Sequence, residues 1–190
     1  MEKLKPEGAE VKPAMHRGLK GIYATPKGAE NGMVMLEGVS LENGTIELEI
    51  SGSPGAQAGG GARGFVGVAF HVADAKRYEA FYLRPTNGRA DDQVRRNHSA
   101  QYISHPDWPW QRLRKEFPET FESYVDLEPG VWTKVRVELN GGKARLYVHG
   151  AAQPTLVVND VKAGGGTGVA LWIGPGTDAH FRNVTVVDRK

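Results

Sequence analysis

The sequence predicts an all-β protein built as an antiparallel β-sandwich or jelly roll. Four Asn-Gly pairs, at 31–32, 43–44, 87–88 and 140–141, separate segments that read as strands, and Asn-Gly tolerates the positive φ angles of tight turns. Roughly ten such segments alternate apolar and polar residues at close spacing. No long amphipathic helical period lies between them, which disfavours a parallel βαβ architecture.

The clearest strands form a hairpin around the last Asn-Gly pair. Residues 131–139 (VWTKVRVEL) alternate apolar and polar side chains with period two, and residues 143–150 (KARLYVHG) do the same. Asn140, Gly141 and Gly142 provide the short loop that a β-hairpin requires. Further strands are predicted at 32–39, 45–50, 64–72, 78–85, 155–161, 168–174 and 180–188.

Length and composition indicate one domain without a dominant charge. The chain has 190 residues, 39% of them hydrophobic, which is enough for one substantial core. Its formal net charge of +2 creates no overall field that recruits nucleic acid or a membrane. The chain has no cysteine and no apolar run of membrane-spanning length. We expect a flexible, polar segment at 1–17 and a single domain at 18–190.

Two segments do not follow the strand pattern. Residues 51–64 (SGSPGAQAGGGARG) are glycine-rich and poor in apolar residues, which predicts a mobile loop between two strands. A phosphate-binding loop is disfavoured, because the Gly-Lys-Ser/Thr ending and the following helix are missing. Residues 84–121 form an insertion that is too long for an ordinary hairpin connection, and such segments tend to be functional. Within it, residues 110–121 predict one short helix that stops before Pro118.

The insertion also carries a local excess of positive charge and of aromatic rings. Between Arg84 and Lys115 lie seven basic residues, six of them arginine, against three aspartates. Guanidinium groups, amides and flat rings suit a sugar, which has an apolar CH face and a rim of hydroxyls. They also suit single-stranded nucleic acid, although we expect carbohydrate as the partner and no nucleic acid. The candidate binding residues are Arg84, Asn87, Arg89, Arg95, Arg96, Gln101, Tyr102, His105, Trp108, Trp110 and Arg114.

A purely structural role explains the same residues in another way. The aromatic and aliphatic side chains could form a small local core, while the arginines and aspartates form surface ion pairs of little energetic value. His98 and His105 lack further ligands at a zinc-site spacing, so no metal cofactor is expected. A calcium ion held by Asp91, Asp92 and loop carbonyls stays open. The residues of this local core would be Trp108, Trp110, Leu113, Phe117 and Phe121.

Three motifs in the insertion resemble a known family. YLRPTN at 82–87, RNHSAQY at 96–102 and WQRLR at 110–114, together with the strand motifs over about 18–188, resemble concanavalin A-like (laminin-G-like) jelly-roll proteins near the bacterial 3-keto-disaccharide hydrolase, or glycoside-hydrolase-like, domain family. The resemblance implies two antiparallel sheets with a concave face that receives carbohydrate. It also implies an exported bacterial protein, periplasmic or secreted, without membrane insertion. The sequence shows no signal peptide, so a cytoplasmic location stays open.

Catalysis is an open question at the level of sequence. Ordinary glycosidases use two carboxylates, but strand 45–50 (TIELEI) lacks the Asp and the third Glu of the laminarinase-type motif. Glu47 and Glu49 therefore read as the solvent side of a strand. Hydrolysis of a keto-glycoside would instead need one base, for which the candidates are His98, Glu79 and His71, and a cation such as Arg84 or Arg96 for the oxyanion. The alternative is a noncatalytic structural or protein-interaction module.

Overall fold

The chain folds as two antiparallel sheets of seven strands each, which confirms the predicted β-sandwich. The computed structural model describes residues 3–162 and 165–189. The strands are Lys3–Glu7 (β1), Ala9–His16 (β2), Leu19–Pro26 (β3), Gly32–Glu37 (β4), Gly44–Pro54 (β5), Val66–Asp74 (β6), Arg77–Leu83 (β7), Ala100–His105 (β8), Glu122–Ser123 (β9), Thr133–Asn140 (β10), Lys143–Val148 (β11), Leu156–Val158 (β12), Gly168–Ile173 (β13) and Thr177–Asp188 (β14). The first sheet has the order β1-β4-β13-β6-β7-β8-β9 and the second β12-β11-β10-β5-β14-β3-β2.

The core lies between the inner faces of these sheets. Val66 of β6 faces the second sheet, because its side chain borders the backbone of Gly52 in β5. Its strand neighbours at alternate positions, Val68 and Phe70, are buried with it, as period-two alternation requires. From the second sheet, Ile46 and the alternating residues of β5 and β10 fill the other half. Each fully buried aliphatic side chain contributes about 1.5–3 kcal/mol.

The predicted hairpin is present as β10 and β11. Asn140 pairs with Lys143, so Gly141 and Gly142 form a two-residue loop. Gly141 has a φ of 58°, the left-handed conformation that favours glycine at such a turn. The Asn-Gly pair at 43–44 is not a hairpin loop of this kind. Gly44 is the first residue of β5 and has a φ of 144°, and a Cβ atom at this position would clash with the backbone of Val187.

The structure corrects the prediction of a flexible segment at 1–17. Residues 3–7 form β1 and residues 9–16 form β2, and both strands lie at sheet edges. Edge strands in natural proteins carry charges and proline, and Pro6 and Pro13 occupy these two strands. The same polar composition that protects an edge conceals its strand pattern in the sequence.

The insertion at 84–121 contains one strand and three short helices. Strand β8 crosses it and pairs with β7 over six residues, from Tyr78 opposite His105 to Leu83 opposite Ala100. The helix predicted within 110–121 is confirmed as Trp110–Glu116 (α2) and stops before Pro118. The others are a 3-10 turn at Pro85–Asn87 and Gln93–Asn97 (α1). None of the helices in the described ranges is long and apolar enough to cross a membrane.

The glycine-rich segment 51–64 is strand in its first part and an attached loop in the rest. Strand β5 continues to Pro54, beyond the predicted start of the loop. The remaining residues are connected to two other parts of the fold: Gly55 N–H donates to the Gly176 carbonyl, and Thr86 N–H donates to the Arg63 carbonyl. Arg63 is thereby held beside the start of the insertion.

Removing residues 1–17 should destabilise the protein, because it deletes β1 and β2 and exposes the hydrogen-bonding edges of β3 and β4. The eight-residue register between β2 and β3 is lost. We expect a fall in Tm of about 5–10 °C, measured by circular dichroism or calorimetry. A variant with Lys3→Gln keeps both strands and controls for the lost net charge, because 1–17 has four basic and three acidic residues. A truncated protein with the Tm of the full chain would show that these strands add no stability.

Candidate functional site

The insertion and the glycine-rich loop together enclose a cavity of about 250 Å³, which we call the insertion pocket. The pocket lies at the end of β7. Since Leu83 of β7 pairs with the inward-facing Val66, Tyr82 points to the opposite face, away from the second sheet. Gln101 is paired with Tyr82 and shares that outer face. The pocket is lined by Gly61, Arg63, Phe65, Arg84, Asn87, Arg95, His98, Trp110 and Arg114.

Arg84 forms the base of the pocket and is 5% exposed. One terminal nitrogen, Nη2, donates to the Tyr82 hydroxyl and to Gln101 Oε1, both at 2.9 Å. The other, Nη1, donates to the His98 carbonyl at 2.9 Å and to Glu122 Oε1 at 3.3 Å. Four acceptors therefore compensate the cost of burying this charge. The guanidinium is fixed in position before any ligand arrives.

Glu122 is the counter-charge of the cluster, and the sequence analysis did not identify it. It is 6% exposed, on the short strand β9 that pairs with β8. Both of its carboxylate oxygens accept from Arg114, with 2.9 Å from Arg114 Nε to Oε2, and one of them also accepts from Arg84. His98 Nε2 lies 3.6 Å from Oε2. One carboxylate thus neutralises one charge and orients two guanidinium groups.

Aromatic rings extend from the pocket across the outer face of the first sheet. Tyr82 stacks on Trp172 with ring centroids 4.6 Å apart. The Arg84 guanidinium lies over the Tyr82 ring at 5.0 Å and over the Trp110 ring at 5.8 Å. The Arg114 guanidinium lies 4.6 Å from the Trp110 centroid. Trp110 is 37% exposed, so part of its indole is open to a ligand while two cations fix its position.

His98 is the only one of the three candidate bases that lines the pocket. Burial lowers the pKa of His98, and the nearby Arg114 and Arg84 lower it further, against the opposing effect of Glu122. The imidazole is therefore neutral near pH 7 and can accept as well as donate a hydrogen bond. Its main-chain carbonyl accepts from Arg84 and from Asn87 Nδ2, which fixes the backbone at this point.

Two of the predicted binding arginines lie outside the pocket. Arg89 pairs with Asp126 and Glu128 at the surface. Arg96 lies over the ring of Tyr124 at 5.1 Å and donates to its hydroxyl. The surface-pair interpretation describes Arg89, and pairs of this kind contribute little to stability. Arg96 instead contacts a tyrosine and forms no ion pair among the described residues.

The remaining predicted binding residues support the fold around the pocket. Gln101 is fully buried and positions Arg84 through Oε1, while its Nε2 donates to the Phe121 carbonyl. His105 stacks on Tyr78 at 5.2 Å. Trp108 contacts Phe117 and has the Arg112 guanidinium 3.8 Å from its ring centroid. The predicted small core is therefore real, with Leu113 and Phe121 buried, but Trp110 is only partly covered.

Glu79, Tyr102 and His71 form a separate cluster, because β7 and β8 direct Glu79 and Tyr102 toward the interior and partly buried His71 of β6 contacts Glu79. Glu79 is 0% exposed, and its carboxylate accepts from the Tyr102 hydroxyl and from His71 Nδ1, the latter at 2.5 Å. The other ring nitrogen of His71 faces the Glu42 carbonyl at 3.0 Å. Two acceptors at one imidazole favour its protonated form. None of these three residues lines the insertion pocket.

No group of three or more histidine, aspartate and glutamate side chains in 3–162 and 165–189 is arranged to hold a metal ion. Asp92, one of the two aspartates considered for calcium, accepts from the Arg95 backbone N–H at 3.0 Å and caps α1. Its carboxylate therefore has a local structural role.

A larger groove of about 630 Å³ lies on the second sheet. Its lining includes Glu47 and Glu49, which stand on the outer side of β5 as the alternation predicts. Glu49 is paired with Arg182 and also accepts from Asn183 at 3.1 Å. Arg136, opposite Glu47 in the register, is paired with Glu138. The charges of this groove largely compensate one another.

Comparison with known proteins supports the fold and little beyond it. No protein-family model and no curated protein sequence matches the chain. The structure is similar to carbohydrate binding module CBM66 from Bacillus subtilis, with a TM-score of 0.63 and 13% identity over 94% of both chains. It is also similar to the VIP36 exoplasmic/lumenal domain in its Ca2+/Man3GlcNAc-bound form, with a TM-score of 0.60 and 8% identity over 96% of this chain and 84% of that one.

A third similar structure is a candidate glycosyl hydrolase from Parabacteroides distasonis, with a TM-score of 0.53 and 12% identity over 98% of this chain and all of the other. Identities this low show the fold alone. The chain has the concanavalin A-like jelly-roll fold. The comparisons do not single out the 3-keto-disaccharide hydrolase family among proteins of this fold.

The His71 cluster predicts a stability that depends on pH. Burial by itself lowers the pKa of His71, but the hydrogen bonds and charges of Glu79 and Glu42 outweigh it, and the pKa is raised. Its contribution to stability is therefore complete below the unfolded-state value of about 6.5 and is lost as the pH rises through the folded-state pKa. Urea unfolding of the wild type and of His71→Gln between pH 6 and 9 should show a stability difference that shrinks with rising pH.

The same measurement separates His71 from the other histidines. A histidine whose pKa is lowered by folding reduces the stability of the protein as the pH falls below about 6.5 instead. A difference between wild type and His71→Gln that grows above pH 6.5 would contradict the protonated imidazole. The histidines with lowered pKa values are His98, His105 and His180, the last at about 4.

Proposed function

We propose that this protein binds carbohydrate in the insertion pocket. The observation that carries the proposal is the convergence of an exposed indole, fixed guanidinium groups and a buried amide on one small cavity. The Trp110 ring offers an apolar surface to the CH face of a pyranose. Arg114 and Asn87, together with neutral His98, offer hydrogen bonds to its hydroxyl groups.

The size of the pocket limits the ligand. A cavity of about 250 Å³ is smaller than the roughly 300–1,000 Å³ of pockets for drug-sized molecules. It therefore accommodates one sugar unit, such as the terminal unit of a longer chain, while the rest of the glycan extends into solvent. A nucleic-acid strand needs a longer groove that follows its backbone, so carbohydrate is the preferred partner.

The known ligands of similar proteins add support at the level of fold. CBM66 is a carbohydrate binding module, and the VIP36 domain holds Man3GlcNAc in its structure. A sugar-binding role also agrees with an extracytoplasmic location, periplasmic or secreted, which we propose for this chain.

Replacing Trp110 by alanine should abolish most of the binding, because it removes the apolar platform, whereas the hydrogen bond between Arg84 and Glu122 does not involve the indole. We expect at least about a 10-fold loss of affinity for a glycan identified on an array, measured by isothermal titration calorimetry. Tyr124→Ala is the matched control, since Tyr124 is 43% exposed and lies outside the pocket.

Two outcomes would contradict the proposal. Unchanged affinity in Trp110→Ala would place the sugar elsewhere, and the groove on the second sheet would then be the next site to test. An array without any ligand would favour a noncatalytic structural or protein-interaction module instead.

Hydrolysis of keto-glycosides is a second candidate function, favoured by the position of His98. A ketone acidifies the neighbouring C–H, so a base that removes this proton starts the elimination of the aglycone. Neutral His98 has the protonation state of such a base, and a guanidinium of the pocket would stabilise the negative charge on the ketone oxygen. His71 and Glu79, the other proposed bases, do not line this pocket.

If this second function is present, purified protein should release the free sugar from a 3-keto-glucoside, and His98→Ala should reduce the rate by about 100-fold or more, since general-base catalysis contributes about 10²–10⁴-fold. Release is followed by chromatography. His105→Ala serves as the control, because His105 lies outside the pocket. Equal rates in His98→Ala and wild type would remove His98 from the mechanism, and no release by the wild type would leave binding as the function.

A further inference from the structure

The insertion pocket contains more positive charge than its fold requires. Four arginines line it, and Glu122 beneath them is shared by Arg84 and Arg114. In the part of the chain that the structure describes, Arg63 and Arg95 form no ion pair. Within the described residues Glu122 is the one carboxylate that forms ion pairs with these four arginines, so the charges of Arg63 and Arg95 are left without an ion-pair partner.

Arg63 comes from the glycine-rich loop and is only partly used by it. Its Nη1 donates to the Gly60 carbonyl at 2.8 Å and to the Ala62 carbonyl at 2.9 Å. These contacts fix one edge of the guanidinium to its own loop, and its remaining donors have no hydrogen-bond partner among the described residues. The side chain is half-buried, so a charge without a counter-ion is kept close to the pocket.

Arg95 lines the pocket from α1 and is an exposed residue that contacts a buried amide. Its single side-chain hydrogen bond within the described ranges is a long one, 3.5 Å from Nη2 to Asn87 Oδ1. Asn87 is itself buried and fixed through Nδ2 to the His98 carbonyl. Arg96, the next residue on α1, contacts Tyr124 outside the pocket. The helix therefore directs one of two adjacent arginines to the pocket.

On these grounds we propose that the sugar bound in the insertion pocket is acidic, and that its carboxylate or sulfate group is bound by Arg63 and Arg95. The inference rests on the proposed carbohydrate-binding function. Neutral hydroxyl groups do not compensate unpaired guanidinium charges, whereas a planar carboxylate or a sulfate accepts paired N–H donors in the geometry that arginine presents. Trp110 then supports the sugar ring, and the two arginines select its anionic substituent.

Matched acidic and neutral ligands test the proposal. Calorimetric titrations would compare the methyl glycosides of glucuronic acid, galacturonic acid and galactose 6-sulfate with those of glucose and galactose. We expect at least one acidic ligand to bind about 10-fold or more tightly than its neutral parent, with an affinity that falls as salt rises. The uronates and the sulfate ester distinguish the two sources of negative charge.

Variants that remove the charge of Arg63 or Arg95 test whether these two residues cause the preference for acidic sugars. Arg63→Gln and Arg95→Gln should each reduce the affinity for the acidic ligand about 10-fold and leave neutral binding nearly unchanged. Arg77→Gln removes the same charge from an exposed pair with Asp74 outside the pocket and should have no effect.

The results separate the failure of this inference from the failure of the proposed function. Neutral sugars that bind as tightly as acidic ones, in a manner that depends on Trp110, would overturn the acidic preference and keep carbohydrate binding. An acidic preference that survives in Arg63→Gln and Arg95→Gln would overturn the assignment to these residues. No sugar binding, or tighter binding of an oligonucleotide than of any acidic sugar, would overturn both.

Discussion

The buried ion pair between Arg84 and Glu122 holds the insertion to the first sheet. Arg84 follows β7 and Glu122 forms β9, so their contact spans the two strands that flank β8. Gln101 of β8 and Arg114 of α2 complete the cluster. An isolated charge in this position would cost several kcal/mol, and removal of one partner from a buried pair typically costs about 3–5 kcal/mol. These four groups therefore connect the insertion to strands β7, β8 and β9.

This arrangement divides the arginines of the pocket into two kinds. Arg84 and Arg114 are already bound to Glu122, so their orientation does not change when a ligand arrives. Arg63 and Arg95 border the same space without a carboxylate partner. A rigid base with unsatisfied donors at its rim reduces the ordering cost of binding, because the ligand organises few side chains.

Sequence patterns predicted most of the sandwich, because the alternation of apolar and polar residues along a strand indicates which of its faces is buried. Strands β4, β5, β10 and β11 have one clearly apolar face, whereas β1 and β2 are charged edge strands that hide it. The arginine excess located the insertion, but residue type alone could not distinguish Arg95 from Arg96, since their separation depends on the path of α1. Glu122 was missed for a related reason: it meets Arg84 across 38 residues, and no local pattern encodes that contact.

The contrast between paired and unpaired charges also distinguishes the two concave regions of the surface. The groove on the second sheet is more than twice as large, but its charged residues are matched: Glu49 with Arg182, and Arg136 with Glu138. Matched charges on an outer sheet face need no ligand to explain them. The insertion pocket is smaller, and it is lined by half-buried Arg63 and exposed Arg95, neither of which forms an ion pair within the described residues. An anion bound there would accept hydrogen bonds from guanidinium donors that the ion pairs of the fold leave free, which is the basis of the proposed preference for an acidic sugar.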